Sequence, residues 1–312
     1  MSQPAKVLII DDSAVARQTL KNILSEDPEL EVVGTAPDAL IALKKISELN
    51  PDVLTLDVQM PKMDGLTFLE RLMKSRPMPV VMVSSYTQEG SETAMRSLEL
   101  GAVDIIEKPK FEVREGLNEI AILITDKVKA AAQAKMKTAR QIFMKTSPKQ
   151  STEVVLPKTT GKRKTTDQEP LIAIGASTGG TEVLREILSS LPPNLPGIVI
   201  VQHMPKAFTG SFANSLDRVS ELEIKEAEDG DMVESGKALL APGDAHMILK
   251  NNGSSYQAKL DTGELVNRHR PAVDVLFRSV ASIAGSAAVG VILTGMGNDG
   301  AKGMTEMHDQ GA

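Results

Sequence analysis

The chain has 312 residues, 41% of them hydrophobic and 24% charged, a balance that fits two ordinary folded domains better than one core or a disordered chain. A formal net charge of -6 argues against bulk neutralisation of nucleic-acid phosphates, and the lack of cysteine excludes disulfides, thiolate catalysis and cysteine-based zinc sites. The N-terminal MSQPAKVLII lacks a basic segment followed by a long apolar core, and no apolar run approaches about 18 residues, so a cytoplasmic protein without membrane insertion is expected.

From the N-terminus, apolar runs alternate with amphipathic stretches: KVLII, AVARQTLKNILSE, LEVVGT, DALIALKKISEL and DVLTLD come first. LTFLERLMKS, PVVMVSS, TAMRSLELGA and VDIIEKP continue the alternation, and a last helix is expected from about Glu115 to Ala132. Five parallel strands with helices on both faces make a doubly wound α/β domain, placed at residues 5–125.

Residues 126–169 turn to Lys, Thr, Gln, Ser and Pro, as in KTSPKQSTEVVLPKTTGKRKTTDQEP, and read as a flexible basic linker. Lys162, Arg163 and Lys164 could meet an anionic partner, but a solvated tether accounts for them more simply.

After Pro170 the alternation resumes with LIAIG, TEVLREILSSL, GIVIVQ and AFTGSFANSLDRV, opening a second α/β domain over 170–312 with a parallel sheet. Turn signals from EIKEAEDGD through ALLAPGDAHMILK to SYQAKLDTGE suggest inserted antiparallel hairpins. A helix at VDVLFRSVASIA, a strand at AVGVILT and the turn GMGNDG follow. The helix ending in Gly311 would ordinarily lead to another strand, so this domain is expected to lack a last C-terminal segment.

In the first domain Asp11 and Asp12 follow strand one and Asp57 follows strand three, at carboxyl ends that line one crevice. A strand-end aspartate alone is ordinarily a turn or cap residue. Three together repel one another unless a hard divalent cation lies between them, and an oxygen-rich set suits Mg²⁺. Ser84 and Lys108, at the ends of strands four and five, bring a hydroxyl and an ammonium suited to phosphate oxygens.

The series DD, DVQMPKMDG, SS and EKP resembles the receiver domain of response regulators. That resemblance implies Asp57 as the phosphoacceptor, with Asp12 and the Gln59 carbonyl as direct Mg²⁺ ligands and Asp11 as a ligand through water. Ser84 and Lys108 become phosphate partners. One departure is Ile105, where the family usually has a rotating Phe or Tyr.

In the second domain, ester or amide hydrolysis by an oxygen nucleophile needs a hydroxyl, a base and a group that orients the base. His308 reads as a surface helix residue, while His246 and His269 could line a site. His203 directly follows the buried run IVIVQ, on the sheet edge where Ser177 follows LIAI; Asp299 follows AVGVILT across a short turn. A lone strand-end histidine or a serine before two glycines is ordinarily structural, but the three together favour chemistry. Backbone N–H groups in STGG, where Thr178 lies, and in GMGN are candidate oxyanion donors.

IGASTGG, VQHMP, APGDAHM, NRHRPAVDVLF and VILTGMGNDG are similar to the chemotaxis protein-glutamate methylesterases. The resemblance implies Ser177 as nucleophile, His203 as base, Asp299 as third member and the Met296 backbone near the oxyanion. It implies hydrolysis of glutamate methyl esters on methyl-accepting chemoreceptors, deamidation of receptor glutamines, no cofactor for hydrolysis, and the histidine kinase CheA as phosphodonor. In the family the unphosphorylated receiver covers the active site, and relief by phosphorylation is expected here.

Two other classes fit less well. A nucleotide-binding module lacks both G-x-G-x-x-G and G-x-x-x-x-G-K-[ST] in the second half, and a DNA-binding regulator lacks a helix-turn-helix pattern there.

Overall fold

Each apolar run in the two α/β halves becomes a strand in the computed structural model, which describes residues 3–84, 88–108, 117–134, 169–295 and 297–312. The first half comprises β1 (Ala5–Ile10), α1 (Ala14–Ser25), β2 (Leu30–Ala36), α2 (Ala39–Leu49) and β3 (Val53–Asp57). It continues with α3 (Gly65–Ser75), β4 (Val80–Ser84), α4 (Gln88–Glu99), β5 (Asp104–Glu107) and α5 (Leu117–Ala132).

Local chemistry sets the boundaries of these elements. Ser13, Asp38 and Asp64 each accept a backbone N–H three residues on and start α1, α2 and α3. Asn50 ends α2 in the left-handed conformation. β3 is buried throughout, which is why it reads as a continuous run and not as an alternation.

The five strands form a parallel sheet in the order β2-β1-β3-β4-β5. The chain reverses direction between β1 and β3, so the crevice at their carboxyl ends is where such a sheet places its ligand.

The expected linker start at 126 needs correction. α5 continues to Ala132 because Ile124, Val128 and Ala131 pack in the cluster containing Val7 and Ile9. The rest of the linker, with Lys162, Arg163 and Lys164, lies outside the described residues.

The second half comprises β6 (Leu171–Ala176), α6 (Gly180–Leu188), β7 (Gly197–Gln202), α7 (Lys206–Asp217), β8 (Glu223–Glu226), β9 (Met232–Val233) and β10 (Lys237–Leu240). It ends with β11 (His246–Asn252), β12 (Ser255–Asp261), α8 (Val273–Ile283), β13 (Ala288–Ile292) and α9 (Ala301–Asp309). Its main sheet is parallel, ordered β13-β6-β7-β10-β8. The antiparallel part is narrower than the turn signals suggested. EIKE and KALL join the parallel sheet as β8 and β10, and only β9, β11 and β12 form an antiparallel sheet.

The two halves pack against each other. α4 lies on α7 and α6, and one apolar cluster includes Ala94 and Met95 of α4 with Phe208 and Phe212 of α7. Arg185 on α6 pairs with Glu99 on α4 at 2.7 Å. A surface pair of this kind contributes about 0–1 kcal/mol, so the apolar contact dominates the interface. No helix among the described residues is long and apolar enough to cross a membrane.

Candidate active site

β6 delivers Ser177 to the edge of the second sheet, and a tight turn then feeds α6. The Ser177 carbonyl accepts the Gly180 N–H at 2.7 Å, and Gly179 has φ 76° and ψ -4°, matching the third position of a type II turn. That conformation accounts for the first glycine of STGG. The second leaves room for Gln202, because a Cβ on Gly180 would overlap Gln202 Oε1.

β7 delivers His203 beside Ser177. His203 Nδ1 lies 3.0 Å from Ser177 Oγ, and His203 Nε2 lies 2.8 Å from Asp299 Oδ2. This arrangement requires the neutral tautomer carrying its proton on Nε2: Nε2–H donates to Asp299, and Nδ1 is left to accept from the hydroxyl. In the chymotrypsin-type arrangement the two ring nitrogens have the opposite duties.

Asp299 is held at the N-terminus of α8. It accepts Val273 N–H at 2.7 Å, Asp274 N–H at 3.1 Å and the Asn267 amide at 2.7 Å, besides His203. Burial alone would raise its carboxyl, but the hydrogen bonds from His203 and Asn267, the electrostatic pull of the adjoining His203 ring and the Val273 N–H outweigh it and hold the pKa at about 2. Because the folded value lies below the ordinary carboxylate value, the ionised group contributes stability that is fully present above about pH 4 and lost as pH falls toward 2. The contribution is roughly 2 kcal/mol. Asp299→Asn is accordingly expected to be less stable than wild type at neutral pH, with the gap closing below pH 4. Urea midpoints measured against pH check this, and a gap that persisted unchanged to pH 2 would contradict it.

The remaining histidines separate clearly. The His269 ring stacks on His203 at 3.7 Å between centroids and 11° between planes. Burial first, then the electrostatic influence of the stacked His203 ring, pushes its pKa down to about 3, so it stays neutral above the base. His246 has both nitrogens occupied structurally, by Glu264 O at 2.9 Å and Ala272 N–H at 3.1 Å. His308 is 86% exposed on α9.

Two further contacts at this site were missed in the sequence. Asn267 and Arg268 both have positive φ, 52° and 68°, and Val266 and His269 exchange both backbone hydrogen bonds around them, a type I′ turn. That turn puts Asn267 on Asp299 and His269 on His203; the asparagine in NRHRP was its only local signal. Lys127 of α5 is also unforeseen: its buried ammonium bonds Asp104 at 2.6 Å, the Ile105 carbonyl at 2.9 Å and the His203 carbonyl at 3.5 Å. Of the proposed oxyanion donors, Thr178 is buried beside Ser177, and Met296 lies outside the described residues.

The first sheet carries a separate acidic site. Asp11, Asp12 and Asp57 bring ligand oxygens within 4.8 Å of one another. Lys108 Nζ sits 2.8 Å from Asp57 Oδ2 and 3.0 Å from Asp11 Oδ2, while Gln59 N–H donates to Asp57 at 3.3 Å. Ser84 is fully buried at the end of β4.

Burial pushes the Asp57 carboxyl up, and neighbouring Asp11 adds to this against the pull of Lys108. Burial disfavours the charged Lys108, but Asp57 and Asp11 together raise it, so the ammonium is retained. Asp11 Oδ2 is buried without a hydrogen bond, while Lys108 Nζ donates to Oδ1 of the same carboxylate at 3.2 Å. A buried carboxylate oxygen without a hydrogen bond, clustered with two other carboxylates, fits a hard divalent cation.

Comparison with known proteins matches these two halves separately and together. The CheB methylesterase family model matches residues 172–312, and the response regulator receiver domain model matches residues 7–121. The chain is 50% identical over 312 residues to protein-glutamate methylesterase/protein-glutamine glutaminase 2 of Oleidesulfovibrio alaskensis, covering 100% of this chain and 88% of that relative. It is 54% identical over 306 residues to the Thiobacillus denitrificans protein-glutamate methylesterase/protein-glutamine glutaminase, covering 98% of this chain and 84% of that relative. Among solved structures, the Thermotoga maritima CheB methylesterase catalytic domain is 46% identical with a TM-score of 0.45, covering 46% of this chain and 77% of that one.

Proposed function

The chain belongs to the CheB methylesterase family and carries a receiver domain, and from that membership we propose a residue-level account of its chemistry. It is a phosphorylation-controlled protein-glutamate methylesterase and protein-glutamine glutaminase of chemotactic adaptation, acting on methyl-accepting chemoreceptors. The observation that carries the residue assignments is the pair of contacts on His203, 3.0 Å to Ser177 and 2.8 Å to Asp299.

Ser177 Oγ attacks the ester carbonyl carbon while His203 Nδ1 takes the hydroxyl proton. Asp299 keeps the imidazole in the tautomer that can do so and offsets the charge of the imidazolium. The tetrahedral oxyanion is met by the Thr178 and Met296 N–H groups. As the intermediate collapses, the methoxy oxygen takes the proton from His203 and leaves as methanol, with a glutamyl ester remaining on Ser177. Water then attacks that ester, giving up a proton to His203, and serine leaves with the proton returned, releasing glutamate. With a glutamine substrate the leaving group is ammonia and the same steps apply.

In the receiver, Asp57 accepts the phosphoryl group, with Ser84 and Lys108 on its oxygens. Asp11, Asp12, Asp57 and the Gln59 carbonyl would hold Mg²⁺, which when bound neutralises the crowded carboxylates and the incoming phosphate. We assign the phosphodonor to the histidine kinase CheA and the setting to the cytoplasm. The receiver spans residue 5 to the end of α5 at Ala132, and the methylesterase domain spans 170–312. The Lys127 contact with the His203 carbonyl and the packing of α4 on α7 support inhibition by the docked receiver.

Methanol release from methylated receptor, with and without acetyl phosphate, tests this reading. A rise of about 5–150-fold with the donor is expected, the usual span of a coupling of about 1–3 kcal/mol. No methanol above background in either condition would refute it.

A further inference from the structure

Gln202 is the last residue of β7, directly before the catalytic histidine, and it is 1% exposed. Its amide does not reach solvent, and the chemistry derived above gives it no task. Its Nε2 donates to the Ser177 carbonyl at 2.9 Å and approaches the His203 carbonyl at 3.5 Å. The space it fills is left by Gly180, where any Cβ would displace it.

Three successive peptide units surround the nucleophile, and each is held from outside the loop. The unit before Ser177 is held by the Ser177 N–H donating to Thr294 O at 3.0 Å. The unit after Thr178 is held by the Thr294 hydroxyl donating to Thr178 O at 3.2 Å. The middle unit, joining Ser177 to Thr178, has its carbonyl held by Gly180 N–H at 2.7 Å and by Gln202 Nε2 at 2.9 Å.

That middle unit also carries the Thr178 N–H, which has no hydrogen-bond acceptor among the described residues. A peptide is planar, with its carbonyl and N–H on opposite sides, so fixing one fixes the other. The Gly180 bond comes from within the turn, whereas the Gln202 donor comes from β7 and ties the same plane to the sheet.

We propose that Gln202 is a positioning residue that aims the Thr178 N–H as an oxyanion donor by clamping the Ser177 carbonyl from behind. The inference rests on the proposed role of Thr178 and deepens it. Gln202 does not touch substrate. It keeps a donor oriented before the reaction, so that no reorganisation is needed when negative charge develops. The consequence is selective: the tetrahedral state loses stabilisation, while the bound ester and the protonation of the base are unaffected.

The test uses the full chain activated with acetyl phosphate. Gln202→Leu and Gln202→Met remove the donor while retaining bulk, and either serves if the other fails to fold. The measurements are kcat and KM for methanol release, the acid limb of the pH profile, and the affinity of phenylboronic acid, whose serine adduct is tetrahedral and anionic. The expected result is a kcat lower by about 10–100-fold, below the full effect of deleting a donor because Thr178 remains. Boronate affinity should fall in parallel, with KM and the acid limb within twofold of wild type.

A kcat within twofold of wild type would overturn the proposal. A loss of kcat with unchanged boronate affinity, or with a shifted acid limb, would also overturn it by showing a general disturbance of the triad. Ser177→Ala is run alongside. Activity surviving in that variant sinks the serine-hydrolase reading itself, whereas an inactive Ser177→Ala beside a normal Gln202→Leu sinks only this inference.

Discussion

Ser177→Ala is expected to lower methanol release from methylated receptor by about 10⁴–10⁶-fold with little change in KM, because it removes the attacking oxygen and leaves the surrounding loop intact. The Ser177 backbone bonds to Thr294 and Gly180 do not involve the hydroxyl, so the turn should persist. Asp299→Asn is expected to cost about 10⁴-fold for a different reason. An asparagine amide facing His203 Nε2 would donate to it and select the tautomer protonated on Nδ1. That nitrogen faces Ser177 at 3.0 Å and could then no longer take its proton. Initial rates on the phosphodonor-activated protein measure both. Substantial release by Ser177→Ala would overturn the nucleophile assignment, and an Asp299→Asn enzyme near wild-type rate would overturn the tautomer argument.

Asp57→Asn is expected to abolish stimulation by acetyl phosphate, taking the donor ratio from about 5–150 to about 1 while leaving the basal rate in place. Removing divalent cations with EDTA should do the same to wild type, since Asp11, Asp12 and Asp57 cluster within 4.8 Å and cannot readily meet a phosphoryl group without added positive charge. A chain beginning at Glu169 should exceed the unphosphorylated full-length rate and ignore both donor and chelator. If that shorter chain were no faster, the docked receiver would not be the inhibitor. If EDTA silenced basal hydrolysis as well, the metal would not be confined to the receiver. The contact from Lys127 to the His203 carbonyl gives a physical route between the halves, because the same ammonium bonds the Ile105 carbonyl on β5. Ile105 occupies the position where receivers usually carry an aromatic switch, and it is 1% exposed. At position 105 the proposed coupling therefore has a backbone carbonyl on a buried cation in place of an aromatic side chain.

Much of the site was legible because parallel strands in one sheet present their carboxyl ends to one edge. Once LIAI, IVIVQ and AVGVILT are recognised as strands of that sheet, Ser177, His203 and Asp299 must lie near one another without any contact being known. The same reasoning gathers Asp11, Asp57, Ser84 and Lys108. It misjudged EIKE and KALL, because short strands between turn signals look alike whether they pair with neighbours in sequence or with β7 across the domain. It also began the linker at 126, inside the helix it expected to reach Ala132, although Ile124, Val128 and Ala131 give that stretch an inner apolar face.

The sequence by itself determined the two α/β halves, the residue types at their strand ends and hence the class of chemistry, since these depend on local periodicity and on the polarity of parallel strands. Only the tertiary structure decided which imidazole nitrogen meets the serine, that His269 stacks on His203, that Asn267 holds Asp299, that Gln202 donates to the Ser177 carbonyl and that Lys127 reaches across from the receiver. Those contacts join segments from 25 to 76 residues apart along the chain, with the stacked His203–His269 pair inside that span. Their geometry is set by how elements pack on one another, and no local pattern encodes it.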